Sequence, residues 1–197
     1  MRKIILILFV LISFVTMAQQ KGNADHFTIQ IREELGDLNK DGLPDKAVIS
    51  MDTVDVNQPL KLEIYFQQAD GKFKLFFSST NIFNPQYPNG QYGGDQIPYA
   101  FIEDGYLVIY SEIKDFHYQD KFKLNKGNFE LVNFSSVIWG GKDYTIEAEF
   151  DLLKGIKTEI TQVLGSGDIL KKEEKKLLIK PLPTIQNFRT LESQWKN

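Results

Sequence analysis

Residues 60–77 read LKLEIYFQQADGKFKLFF, and this stretch predicts two antiparallel strands joined by a tight turn. In its first half, apolar residues alternate with polar ones, which is the period of a strand with one buried face. The apolar residues resume at Phe73, after Asp70 and Gly71, two residue types that tolerate positive φ in hairpin turns. The stretch is therefore a β-hairpin, and the same pattern recurs along the rest of the chain.

Strand patterns flank this hairpin on both sides. A strand over 27–31 is followed, beyond an acidic loop, by a strand over 46–51. After the hairpin, further strands are predicted at 97–102, 106–112, 118–124, 129–134, 144–151 and 156–164, with a last short strand at 177–179. Turns separate these segments at intervals of about eight to twelve residues, which is typical of all-β proteins. The sequence predicts antiparallel hairpins in a meander that forms a sandwich or a partial barrel.

Two segments near the C-terminus depart from the strand pattern. The charged run 171–176 contains both signs and is predicted to be a solvated turn. Residues 185–195 predict a short amphipathic helix, because their apolar residues recur at helical spacing on one face. Those residues are Ile185, Phe188, Leu191 and Trp195.

The first eighteen residues have the pattern of a cleavable signal peptide. Arg2 and Lys3 form a positive start, 4–15 is almost entirely apolar, and small residues precede a cleavage site after Ala18. An uncleaved membrane anchor is the alternative, but the apolar run is short for a hydrocarbon layer of about 30 Å. We therefore divide the chain into a signal peptide (1–18), a flexible N-terminus (19–25) and a single β-rich domain (26–197).

Composition indicates a periplasmic or secreted protein that relies on its apolar core. The chain has no cysteine, so we expect neither disulfides nor a lipid anchor on an N-terminal cysteine. Its 15 Phe and 8 Tyr suit strands and a large core. The net charge is −3 before the predicted cleavage. This balance argues against nucleic acid and, once the signal peptide is removed, against a membrane as the partner. A protein or a glycan stays open as a ligand.

The most informative chemistry lies in the acidic loop between the first two predicted strands. Asp37, Asn39, Asp41 and Asp45 alternate with residues that have no acidic oxygen, and Gly42 follows the third of them. Calcium takes six to eight oxygen ligands in a flexible cage, and a glycine allows the sharp reversal that such a cage needs. We predict that these four side chains and the backbone carbonyl of Leu43 bind one structural Ca²⁺ ion.

This spacing resembles two known families of calcium loop. The EF-hand loop normally ends in a bidentate Glu on an exiting helix, but here that position is Val48 and the flanks predict strands. The loop is more similar to the shorter calcium loop of FG-GAP/VCBS repeats in integrin-like β-propellers. That loop lies between strands and takes its ligands at the first, third, fifth, seventh and ninth positions. These positions correspond here to Asp37, Asn39, Asp41, Leu43 and Asp45.

The resemblance covers only the loop and its flanking strands. It implies ion binding and scaffolding rather than a reaction, and a single loop argues against a whole propeller. The later hairpins resemble small exported proteins of unknown function that carry one such loop, which implies no activity. The alternative to a metal site is an ordinary Asx-rich turn with solvated carboxylates, since Asp, Asn and Gly favour turns in any case.

Other candidate sites have weaker support. The loop at 81–98 is rich in Tyr and Gly, and could either present aromatic rings to a sugar or peptide or serve as an ordered connector. His26 and His117 are the only histidines, and no nucleophile motif accompanies them. Glu147 and Glu149 share one face of a strand, where a solvated charged face is commoner than a glycosidase pair. We therefore expect a non-enzymatic exported β-domain that binds a ligand or a surface, with a small secreted hydrolase directed at glycans or peptides as the alternative.

Overall fold

The computed structural model describes residues 25–91, 97–113, 115–141 and 143–196 of the chain, with side chains up to residue 194. The predicted signal peptide and all but the last residue of the predicted flexible N-terminus lie outside the described residues. The strands, in chain order, are β1 (Ile29–Gly36), β2 (Asp45–Met51), β3 (Leu60–Gln67), β4 (Phe73–Ser79), β5 (Tyr99–Glu103), β6 (Tyr106–Ile113), β7 (Phe116–Asn125), β8 (Asn128–Trp139), β9 (Tyr144–Asp151), β10 (Ile156–Val163) and β11 (Ile169–Lys176).

These strands form two antiparallel sheets. The first has four strands in the order β1-β2-β3-β4, and the second has seven in the order β11-β10-β9-β8-β7-β6-β5. Within each sheet, strands that follow one another in the sequence pair, so both sheets are meanders of consecutive hairpins. The prediction of an all-β fold is confirmed. The sequence left a sandwich and a partial barrel open. The two sheets make a sandwich, and in the described residues neither sheet closes into a barrel.

The core lies between the inner faces of the two sheets. Alternate residues of β3 point inward and are completely buried, namely Leu60, Leu62 and Ile64. The seven-stranded sheet contributes a second set of buried side chains, which includes Leu107, Ile109, Phe122, Phe134 and Phe150. Burying one such side chain contributes about 1.5–3 kcal/mol, so this core can hold the fold without disulfides.

The C-terminal segment closes one end of the core. The backbone N–H groups of Leu131 and Ile185 bond across this segment, to the carbonyls of Pro183 (2.7 Å) and Phe129 (2.8 Å). Two short helices follow, α1 (Phe188–Leu191) and α2 (Ser193–Lys196). Phe188 packs edge-on against Phe122 with ring centroids 5.1 Å apart. The predicted C-terminal helix is thus present, but it begins at Phe188 rather than at residue 185, and the side chain of Trp195 lies outside the described residues.

Two strand predictions were wrong in position. The charged run 171–176, predicted to be a turn, belongs to β11 and pairs with β10, whereas 177–179 is not a strand. β11 is one of the two edge strands of its sheet, where charged side chains are tolerated because water reaches them and they discourage pairing with other chains. The first strand starts later than predicted, at Ile29, and reaches Gly36, with a bulge between Gln30 and Arg32.

The two sheets meet where β1 lies beside β5, a contact called the sheet joint below. At Gly36 an added Cβ would lie 2.5 Å from Cγ2 of Ile102, so only a glycine allows the backbones to approach this closely. The guanidinium carbon of Arg32 lies 3.9 Å from the centroid of the Tyr99 ring in β5. The sheet joint therefore lies directly next to the acidic loop that follows Gly36.

Candidate metal site

The acidic loop, residues 37–44, connects β1 to β2 and is anchored at both ends. Leu38 is only 1% exposed and belongs to the core, so the loop begins with a buried side chain. Lys40 and Gly42 adopt positive φ values of 63° and 85°, which curl the backbone sharply. Gly42 is needed for this conformation because side chains with a Cβ rarely adopt it. Hence the loop is a compact coil rather than an open connection.

Three of the predicted ligands converge on the same piece of backbone. The N–H of Asp41 donates to Oδ1 of Asp37 at 3.1 Å and to Oδ1 of Asn39 at 2.9 Å. The second oxygen of Asp37 accepts the N–H of Gly42 at 2.8 Å. Asp41 accepts from Asn39 Nδ2 at 2.9 Å and from the N–H of Leu43 at 2.8 Å. The structure therefore brings Asp37, Asn39 and Asp41 together and holds Leu43 next to them.

Asp45, the last predicted ligand, is placed differently. It is the first residue of β2 and is fully buried. Its Oδ2 accepts the N–H groups of Leu38 (2.9 Å) and Asn39 (3.1 Å), and its Oδ1 accepts the N–H of Gln67 in β3 (3.2 Å). Sequence spacing did not reveal this role, because Gln67 comes from a strand distant in the sequence. Asp45 ties the loop to two strands at once.

Burial raises the pKa of Asp45 above its ordinary value of 3.8, although its three backbone hydrogen bonds act in the opposite direction. The charge of nearby Asp41 raises it further. The neutral form of a carboxyl group is favoured when the charged form loses its hydration, which is the dominant effect here. A cation near the loop would act in the opposite direction and favour the carboxylate.

In the part of the chain that the structure describes, no basic side chain pairs with the carboxylates of this site. Among the described residues, neither Asp37, Asp41 nor Asp45 has a Lys, Arg or His nitrogen within 4.0 Å. The one lysine of the loop, Lys40, packs its aliphatic chain against Gly105, in the turn between β5 and β6. The loop and the first residue of β2 thus carry three carboxylates, and Lys40 extends toward the other sheet.

In the described part of the chain, no three His, Cys, Asp or Glu side chains form a group that could hold a metal ion in the conformation shown. The oxygens of the loop accept hydrogen bonds from N–H donors of the loop itself instead. The ligand set Asp37, Asn39, Asp41, Leu43 and Asp45 therefore stays a prediction.

The two histidines and the Glu147–Glu149 pair, which were the other candidates from the sequence, each contact partners of their own. Nδ1 of His26 lies 3.9 Å from Asp52, whereas Nδ1 of His117 lies 2.8 Å from the hydroxyl of Tyr110 and 3.6 Å from Glu112. Glu147 and Glu149 do share the outer face of β9, where each contacts a side-chain amide. Glu147 bonds Gln162, and Glu149 accepts from Asn133 at 3.2 Å.

The described part of the loop at 81–98 is packed against the rest of the domain. Ile82 and Phe83 are buried in the core. The N–H groups of Gln86 and Tyr87 bond the carbonyls of Gln58 (3.2 Å) and Asn57 (2.9 Å) in the loop between β2 and β3. Tyr92 and the glycine pair after it lie outside the described residues, so the binding hypothesis for this loop stays a prediction.

A line of rings on the outer face of the seven-stranded sheet is not evident from the sequence pattern. This outer aromatic row consists of Tyr99, Tyr110, His117 and Trp139, one from each of four consecutive strands. Neighbouring ring centroids are 6.3–6.4 Å apart along it. The Asp104-Gly105 turn alone could have predicted the Tyr99–Tyr110 pair, since a two-residue turn fixes their register.

Comparison of the chain with protein-family models, curated proteins and solved structures finds no match. No helix in the described residues is long and apolar enough to cross a membrane. What the fold and the site define is a two-sheet antiparallel β-sandwich protein with an acidic loop beside the joint between its sheets.

Proposed function

We propose that the protein is an exported, non-enzymatic β-domain whose acidic loop binds one structural Ca²⁺ ion. One observation carries this proposal: three carboxylates lie within nine residues, and in the described part of the chain none has a basic group within 4.0 Å. Uncompensated carboxylates repel one another, and a hard divalent cation removes that repulsion.

The loop has acceptor capacity left for an ion. An ionised carboxylate offers about four lone-pair directions, and the hydrogen bonds to Asp37 and Asp41 use only two on each. Asn39 Oδ1 likewise accepts one N–H and keeps a second lone pair. The carbonyl of Leu43, one free direction on Asp45 and water would complete six to eight oxygens.

An ion in the loop would act on the fold rather than on a substrate. Asp45 joins the loop to β2 and β3, and Lys40 joins it to the turn between β5 and β6. Fixing the loop would therefore hold the corner of the four-stranded sheet against the sheet joint. Because a bound ion stabilises only the folded state, the expected consequence is a higher free energy of unfolding.

Thermal unfolding of the purified protein, with all calcium removed or with 1 mM Ca²⁺, tests this proposal. A ligand present at 100 times its Kd adds about 2.7 kcal/mol, which shifts the midpoint of a domain this size by about 5–10 °C. Mg²⁺ should shift it less, because magnesium demands octahedral geometry and keeps its waters. Asp41→Asn should abolish most of the calcium effect.

Asp70→Asn is the matched control, because Asp70 is also an exposed turn residue that accepts a backbone N–H two residues on, from Lys72 at 3.1 Å. It has an adjacent lysine and no neighbouring carboxylate in its turn, so its calcium response should equal that of the wild type. Identical melting of the wild type with and without calcium, together with no heat of binding in a calorimetric titration, would show that the loop is an ordinary Asx turn.

A further inference from the structure

The outer aromatic row is exposed to solvent at both of its ends. Trp139 at one end is 49% exposed and Tyr99 at the other end is 40% exposed. Between them, the hydroxyl of Tyr110 bonds Nδ1 of His117, which fixes the orientation of both rings. An exposed line of rings on a rigid sheet is costly to leave in water, and such surfaces often serve recognition.

A depression of about 410 Å³ adjoins the row on the same face, with Ser135, Val137, Glu147, Glu149, Thr158 and Lys172 among its lining residues. Val137 connects the two features, because it pairs with His117 on one side and with Glu147 on the other. The row and the depression therefore form one continuous surface across β5 to β10.

Three carboxylates lie on the described part of this surface. Glu112 lies beside His117 in the row, and Glu147 and Glu149 line the depression. Within the described residues, neither Glu147 nor Glu149 has a basic nitrogen within 4.0 Å, and both are bonded by neutral amides instead. Lys172 lies at the far side of the depression. The faces of aromatic rings are also negative, so rings and carboxylates favour the same sign of partner.

The row already holds one cation, an arginine side chain. The guanidinium of Arg32, which belongs to the other sheet, lies over the ring of Tyr99 at 3.9 Å. Arginine stacks on aromatic faces and pairs with carboxylates through its planar fork, so it uses both features of this surface. Trp139, at the opposite end, has an exposed ring for the same kind of contact.

We propose that this surface binds an extended peptide segment with arginine at alternate positions. In a strand, residues i and i+2 face the same side and are about 6.8 Å apart, so the Glu147–Glu149 spacing equals that of two alternate side chains in an extended ligand. One arginine bonds each glutamate, and a third stacks on Trp139. This proposal is independent of calcium, because the acidic loop lies at the other end of the row, beyond Tyr99.

Fluorescence anisotropy with a labelled, capped peptide that has three arginines separated by threonines tests the proposal. A second peptide replaces each arginine by citrulline, its neutral isostere, and a third places the three arginines side by side. We expect the alternating peptide to bind about tenfold more tightly than the citrulline peptide and measurably more tightly than the block peptide.

The variants separate this surface from general attraction of cations to an acidic protein. Glu147→Gln with Glu149→Gln should weaken binding about tenfold, and Trp139→Ala about fivefold. Asp55→Asn with Asp70→Asn removes the same charge from exposed loops of the other sheet, and it should change the Kd less than twofold. Unchanged melting midpoints show that each variant is folded. Equal binding of the citrulline peptide overturns the proposal, and so does binding of a neutral hexose oligosaccharide, dependent on Trp139, in place of the arginine peptide.

Discussion

The carboxylate of Asp45 accepts the backbone N–H of Leu38 at 2.9 Å, and both residues are buried. The same carboxylate accepts the N–H groups of Asn39 and Gln67, so one side chain joins the start of the acidic loop to β3. A buried acceptor of this kind is structural whether or not an ion is present. Replacing Asp45 should therefore lower the free energy of unfolding both with and without calcium.

Replacing Asp45 by alanine is expected to lower the free energy of unfolding by about 3 kcal/mol or more, since three backbone N–H groups lose their acceptor and buried unsatisfied groups cost 1–3 kcal/mol each. Asp45→Asn should cost less, because its remaining oxygen can still accept from Leu38 and Asn39. Urea unfolding in calcium-free buffer measures both variants. An alanine variant as stable as the asparagine variant would mean that these hydrogen bonds contribute nothing.

The raised pKa of Asp45 predicts how calcium stabilisation depends on pH. In calcium-free protein the folded state favours the neutral carboxyl, so its stabilising contribution is full below the ordinary pKa of 3.8 and is lost as pH rises through the raised pKa. Calcium needs the carboxylate, so protons compete with calcium as the pH falls toward the raised pKa. The difference in melting midpoint between calcium-loaded and dialysed protein should therefore shrink as the pH falls from 7 toward 3.8. A difference that stays constant over this range would separate Asp45 from ion binding.

Local patterns were sufficient for the hairpins but not for features that depend on distant strands. The period-two alternation in 60–67 and the Asp70-Gly71 turn specify their hairpin without any tertiary information. The burial of Asp45 depends on Gln67, and the outer aromatic row depends on the register of four strands, neither of which a local window contains. The sequence did not predict β11 because a run of charged residues is also typical of a turn. An edge strand can be charged, since it forms by pairing its backbone with one neighbouring strand.

Gly36 should tolerate alanine poorly because of space rather than conformation. An added Cβ would lie 2.5 Å from Cγ2 and 2.8 Å from Cβ of Ile102, so Gly36→Ala is expected to cost about 1–3 kcal/mol through overpacking at the sheet joint. Gly71→Ala is the control, because nothing lies within 4 Å and only its φ of +80° is unfavourable, at about 1 kcal/mol.

A double-mutant cycle assigns the Gly36 effect to this contact. Ile102→Ala removes Cγ2, so the cost of Gly36→Ala should be smaller in that background than in the wild type. The cost of Gly71→Ala should be the same in both backgrounds. If urea unfolding shows that the changes in the free energy of unfolding for Gly36→Ala and Ile102→Ala are additive, the two residues are not coupled. The sheets would then shift at the sheet joint to make room for the added methyl group.

The N-terminal segment is held on the four-stranded sheet by a buried lysine. The side chain of Lys61 is only 8% exposed, and its Nζ lies 2.6 Å from Asp25 and 3.4 Å from Glu63. Asp25→Asn should leave this ammonium with one carboxylate partner, lower the melting midpoint and speed amide exchange at Phe27, whose N–H bonds Asp25 at 3.1 Å. Asp70→Asn, which affects an exposed pair with Lys72, should leave the exchange at Phe27 unchanged.

The same pair predicts an acid-sensitive contribution. The hydrogen bond from Lys61 lowers the pKa of Asp25 below its ordinary value of 3.8. A lowered carboxyl pKa gives stability that is present above the ordinary pKa and is lost as pH falls through the folded-state pKa. The midpoint difference between the wild type and Asp25→Asn should therefore shrink as the pH falls below 3.8. A difference that stays constant as the pH falls would mean that the charge on Asp25 does not carry the effect.

The charges of β11 are expected to keep the molecule from pairing through its sheet edge. Lys171, Glu173 and Lys175 alternate along this edge strand, and changing all three to threonine would remove half of the six charges of a strand that has unpaired backbone groups. This variant should self-associate in sedimentation velocity runs as its concentration rises, whereas the wild type should not. The control is the triple variant Asp70→Thr, Lys72→Thr and Lys154→Thr, which removes the same number of positive and negative charges from turns. If the edge variant keeps its strand content by circular dichroism and sediments as the wild type does at every concentration, the charges do not protect this edge.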